Sequence, residues 1–124
     1  MRDARQTNYV ESAGMLCDGW WEQDLFGRQP MRNLRLRFES GRISGSGHDI
    51  IGVFTLLGTI AEDGKLAMIK RYVGMHAVEY GGTYDGEGLM WGQWRIGPLH
   101  NRWLIKINTS RATAIDAAEI EAIT

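Results

Sequence analysis

From Gly19 to Asn108 the chain is a succession of short runs rich in β-branched and aromatic residues, each closed within about 8–12 residues by Gly, Asp, Asn or Pro. Such spacing leaves no room for a long helix and fits strands joined by tight turns. Sixteen of the 124 residues are Gly, roughly twice the usual share of about 7%, as many turns would demand. A chain of this length buries one core. Eight short strands in sequence order bury it best as a closed sheet, because closure removes the unpaired edges. The expectation is therefore an all-β, eight-stranded antiparallel up-and-down barrel over 19–108 in a single domain, with an N-terminal segment over 1–18 and a C-terminal helix or tail over 109–124.

The turns set the register. A two-residue Ser40-Gly41 turn places Glu39 opposite Arg42, Phe38 opposite Ile43, Leu36 opposite Gly45 and Leu34 opposite Gly47, with Arg35, Arg37, Ser44 and Ser46 on the other face. Extended, the same register sets Arg32 opposite Asp49. Asp49-Ile50-Ile51-Gly52 has Asp first and Gly fourth, so Asp49 is expected to hydrogen-bond its own turn. Next, Asp63-Gly64 as a two-residue turn sets Glu62 opposite Lys65. A Gly74-Met75 turn then makes Lys70 and Glu79 an outward ion pair. It places Ile69, Arg71, Val73, His76, Val78 and Tyr80 on the inner face shared with Phe54, Leu56 and Ile60. Beyond Tyr84–Gly88, whether the turn holds two or three residues decides which of Trp91 and Trp94 points inward; the reading taken is Trp94, with Met90 and Ile96, and Trp103, Ile105 and Ile107 alternate inward.

Both ends carry helix signals. Asn8 followed three residues later by Glu11 suggests a short helical turn, and Thr109 or Ser110 can cap an Ala-rich helix over 112–123. With Gly19-Trp20-Trp21 on the first strand, this order of elements resembles the calycin group of small barrels, the lipocalin-like and avidin-like proteins. The resemblance implies that Trp21 closes one barrel end against a late arginine, Arg111 here, and that a small ligand is held inside.

Candidate anchors follow from the inner face. Arg71, His76 and Tyr80 among Phe54, Leu56, Met90 and Trp94 would suit a small, partly apolar ligand, with Arg as bidentate donor and His as a group that titrates near neutrality. Each polar residue equally fits a barrel rim, where its tip reaches water. Two other functions stay open. One is an interaction module with a filled barrel, docking a partner or a second copy. The other is a small enzyme at the barrel mouth, which needs a carboxylate or Tyr80 within reach of His76.

The sequence holds no Gly-x-Ser-x-Gly, phosphate loop, dinucleotide fingerprint or His-Glu-x-x-His. No catalytic residue, cofactor or metal site is expected: Cys17 is the single cysteine, and the three histidines are dispersed. A formal charge of -1 and a pI near 6.3 give no whole-molecule attraction to nucleic acid or membrane, so neither is expected as a partner. Arg28, Arg32, Arg35, Arg37 and Arg42 then form a solvated outer face. Met1–Val10 lacks the apolar core of a leader, which suggests the cytoplasm. Five tryptophans exceed what so small a barrel encloses, which points to a ligand cavity or a subunit interface, and a homodimer is expected.

Overall fold

A computed structural model describes residues 14–108. Its eight strands are β1 (Met15–Gln23), β2 (Gly27–Glu39), β3 (Arg42–His48), β4 (Val53–Ile60), β5 (Lys65–Tyr72), β6 (Ala77–Tyr84), β7 (Leu89–Ile96) and β8 (Leu99–Ile107). They pair antiparallel in sequence order, and β8 returns to β1 to close the barrel. The expected architecture is thus observed. β1 begins at Met15 rather than Gly19, because Met15, Leu16 and Cys17 pair with Leu36, Arg35 and Leu34. The helical turn expected at Asn8–Glu11 and the helix over 112–123 lie outside the described residues, as does Arg111.

Alternation sorts the side chains. Leu34, Leu36, Ile43, Phe54, Leu56 and Met90 are fully buried inside, and Trp94 points in while Trp91 points out. The Ser40-Gly41 hairpin has its expected pairs from Glu39↔Arg42 to Leu36↔Gly45. Beyond them the register slips. Asn33 adopts φ 51 in a bulge between Arg32 and Arg35, so Arg32 pairs with His48 and not with Asp49.

β5 departs most from expectation. The Ala61 N–H donates to the Lys65 carbonyl and the Gly64 N–H to the Ala61 carbonyl. Glu62-Asp63-Gly64 is therefore a three-residue loop, with Gly64 left-handed at φ 94. At the other end of β5 the Tyr72 N–H donates to the His76 carbonyl, again enclosing three residues, Val73-Gly74-Met75. Each loop is one residue longer than the two-residue turn expected. A one-residue slip exchanges the faces of a strand, and the second slip cancels the first at β6. Val78 and Tyr80 hence point inward as expected, while β5 alone is inverted. Leu66, Met68, Lys70 and Tyr72 are inside, and Ile69, Arg71 and Val73 are exposed outside. Lys70 sits opposite Val78, and the outward pair with Glu79 does not form.

The β1–β2, β3–β4, β5–β6 and β7–β8 turns gather at one end of the barrel, here termed the mouth. The other three turns and the strand ends Met15 and Ile107 lie at the opposite end.

Candidate functional site

An inward lysine must recover the hydration it loses, which requires a buried partner. The β3–β4 turn supplies one. Asp49 holds that turn as expected: its N–H donates to the Gly52 carbonyl at 3.1 Å and its Oδ1 accepts the Ile51 N–H at 2.9 Å. Oδ2 points into the barrel. There it accepts from Lys70 Nζ at 2.7 Å, the Tyr72 hydroxyl at 2.8 Å and Trp21 Nε1 at 3.0 Å. The two side chains of the ion pair are 1% and 0% exposed. Lys70 Nζ also donates to the Tyr80 hydroxyl at 3.2 Å and meets Met31 Sδ at 3.7 Å. Its ammonium lies 4.3 Å from the Phe54 ring centroid and 4.9 Å from that of Tyr72, within cation–π range of both.

The two charges respond oppositely. Burial lowers the Lys70 ammonium to a pKa of about 8 from 10.5, against the opposing pull of Asp49. For Asp49, burial acts upward, but the Lys70 ammonium, the Tyr72 hydroxyl and the Ile51 N–H together hold the carboxyl below 3.8. Burial and the adjacent carboxylate raise both tyrosine hydroxyls, so they remain protonated donors. Between pH 8 and 10.5 the unfolded chain binds a proton that folded Lys70 has lost, so this residue's contribution to stability rises with pH across that window. The Asp49 contribution is complete above pH 3.8 and is lost as pH falls below it. A ¹³Cε titration of Lys70 should show an inflection near 8; one near 10.5 would place the amine in water.

Above this pair, toward the mouth, lies an open cavity of about 220 Å³ lined by Trp21, Tyr72, Val78, Tyr80, Trp94 and Ile96. Trp21, Tyr72 and Tyr80 serve both features, contacting the ion pair and walling the cavity. The rings are held by their polar edges: Trp21 and Tyr72 by Asp49, and Trp94 by Nε1–H donation to the Glu22 carbonyl at 2.8 Å. Trp21 and Trp94 meet edge to face at 6.3 Å. The aromatic walls are therefore oriented before any ligand arrives, which lowers the ordering cost of binding.

Of the anticipated residues, Tyr80 and Trp94 line the cavity, and exposed His76 joins its wall with its ring 5.1 Å from that of Tyr72. Phe54, Leu56 and Met90 are fully buried in the core and are not part of the lining. Arg71 is exposed on the outer wall because β5 is inverted, so the grouping of Arg71, His76 and Tyr80 is not assembled. Trp21 donates to Asp49, and the arginine that the resemblance implies for it, Arg111, lies outside the described residues. Lys70, Asp49 and Tyr72 were not foreseen as a cluster. The available signal was the Leu66-x-Met68-x-x-x-Tyr72 alternation, which carries more apolar volume than Ala67-x-Ile69-x-Arg71-x-Val73.

Cys17 is buried, and burial pushes its thiol up to about 12, which disfavours the thiolate that a nucleophile requires. Among the described residues no group of three or more His, Cys, Asp or Glu gathers to hold a metal. No protein-family model, curated protein or solved structure matches the chain.

Proposed function

We propose that the protein is a non-catalytic binder holding a small, partly apolar ligand in the mouth of the barrel. The cavity carries this reading: it opens among buried side chains of the core, and its walls are pre-oriented rings. Its volume of about 220 Å³ lies between the roughly 150 Å³ that admits benzene and the roughly 300–1,000 Å³ of drug-sized sites. A ligand of one or two rings, or a short chain, suits it. Tyr80 accepts from Lys70 and, among the described residues, donates its own proton to no one. That hydroxyl is the donor such a ligand would use, with Gln23 and His76 beside it in the wall. The likeness to lipocalin-like barrels, which the closed eight-stranded topology supports, favours a ligand inside the barrel.

A filled interior would have favoured the interaction module, and the cavity is what separates the two readings. The enzyme reading finds little support, since among the described residues His76 makes no side-chain hydrogen bond to a carboxylate or to Tyr80; it packs on Tyr72.

Tryptophan emission titrated with small aromatic and short-chain compounds is the test. Saturable shifts are expected in the unaltered protein. Val78→Phe places a ring in the cavity and should weaken the response at least about tenfold while the melting temperature holds, whereas Arg71→Ala should leave it unchanged. No saturable response, or equal affinity in Val78→Phe, would overturn the reading.

A further inference from the structure

All four turns at the mouth end in large apolar side chains turned to water. Leu25 and Phe26 stand on β1–β2, Ile50 on β3–β4, Val73 and Met75 on β5–β6, and Leu99 on β7–β8, each between 52% and 93% exposed. The turns at the opposite end are Ser40-Gly41, Glu62-Asp63-Gly64 and Asp85-Gly86-Glu87-Gly88, with no large apolar residue, and the start of β1 there adds Met15 and Leu16, only 40% and 37% exposed. An asymmetry of this kind marks an interaction surface. Leu99 also lines the cavity, so rim and cavity are continuous.

Charge identifies the occupant. Among the described residues, exposed Arg28, Arg71, Arg95 and Arg102 flank the rim against three carboxylates, Glu22, Asp24 and Glu79, the last opposite Arg95. Glu22 is already bound by Arg28 and Arg102, each at 2.7 Å, and Asp24 accepts from Asn101 at 2.8 Å. The Lys70–Asp49 pair is internally neutral. Among the described residues the rim thus keeps an excess of arginine over carboxylate, although the whole chain carries -1. We propose that the mouth end docks on an anionic phospholipid bilayer, its apolar turn tips inserted among the acyl chains and its arginines at headgroup level. A second copy docked rim to rim would oppose arginine to arginine, whereas separate tips around an opening suit a fluid surface. Insertion stops near the tips, because outward positions lower on the wall carry Arg35, Arg42, Lys65 and Lys106 among exposed Leu57, Ile69 and Trp91, which interrupts the continuous apolar girdle that a spanning barrel needs.

This inference goes beyond the ligand reading and does not require it: vesicle binding reports the rim, whereas emission titrations without vesicles report the cavity. Co-sedimentation with phosphatidylcholine vesicles, with and without phosphatidylserine, tests it. The protein should partition onto the phosphatidylserine vesicles and release them as salt rises. Leu25→Asp with Phe26→Asp should weaken partition at least about tenfold, and Arg71→Gln with Arg95→Gln should do so to a similar degree. Leu57→Asp, on the outer wall of β4, should change nothing. All these sites are exposed, so melting temperatures should hold. Three results would overturn the proposal: no partition onto either vesicle, unaltered partition of the Leu25/Phe26 variant, or a native dimer that this variant splits into monomers.

Discussion

Replacing Asp49 with alanine destabilises the barrel by about 3–5 kcal/mol, the expected cost of stranding a buried charge. The ammonium of Lys70 would keep only a phenol oxygen and a thioether as partners, and the Tyr72 hydroxyl and Trp21 N–H would lose their acceptor. Against the roughly 5–15 kcal/mol that holds a domain folded, such a loss lowers the melting temperature by roughly 15 °C or more. Lys70→Met should cost less, because Asp49 retains three donors, from Tyr72, Trp21 and Ile51. Combining the two changes should recover part of the Asp49→Ala loss, since neither charge is then left alone. Urea melts of the three variants measure this cycle. A cost below about 1 kcal/mol for Asp49→Ala, or a double variant no better than the single one, would contradict the buried pair.

Gly92→Val should disrupt the barrel still more directly. Gly92 pairs with Gly82, and a Cβ at Gly92 would land on the Gly81 carbonyl oxygen and the Gly82 Cα. These are backbone atoms that cannot rotate away. The same close approach seats Trp103, whose Nε1 donates to the Gly81 carbonyl at 3.1 Å. A side chain at Gly92 must therefore part β6 from β7 and unseat a fully buried tryptophan, at an expected cost of about 3 kcal/mol or more. Gly81→Ala is the control, since a Cβ there meets nothing within 4 Å; it should stay within about 0.5 kcal/mol of the parent. Thermal melts followed by near-ultraviolet dichroism distinguish the two. A Gly92→Val protein melting within a few degrees of the parent would refute the close packing of β6 on β7.

The barrel was legible because turn spacing and alternation repeat along the whole chain, and closure follows from the number of strands. Register was legible where a turn has one reading. Ser40-Gly41 set the pairs from Glu39↔Arg42 to Leu36↔Gly45, whereas the length of the Tyr84–Gly88 turn left Trp91 and Trp94 to be told apart by the structure, which buries Trp94. Register failed where a glycine serves loops of two or three residues alike, as Gly64 and Gly74 do, and both faces of β5 then offered apolar side chains. Lysine normally faces water, so Lys70 weighed toward the wrong face. Its true partner lies 21 residues earlier in the chain, in a turn whose orientation depends on the Asn33 bulge, and no local pattern encodes that juxtaposition. The apolar, basic mouth was hidden for a similar reason. Its residues come from four separate turns, and a net charge taken over the whole chain averages them away.

The most direct test of the ligand site uses 5-fluorotryptophan incorporated at all five tryptophans and followed by ¹⁹F NMR during titration with a compound that shifts the emission. Trp21 and Trp94 line the cavity, and their resonances should move together and saturate, while those of Trp20 and Trp91 on the outer wall stay in place. Movement of Trp20 or Trp91 while Trp21 and Trp94 remain still would put the ligand on the outside of the barrel and contradict a binding site at its mouth.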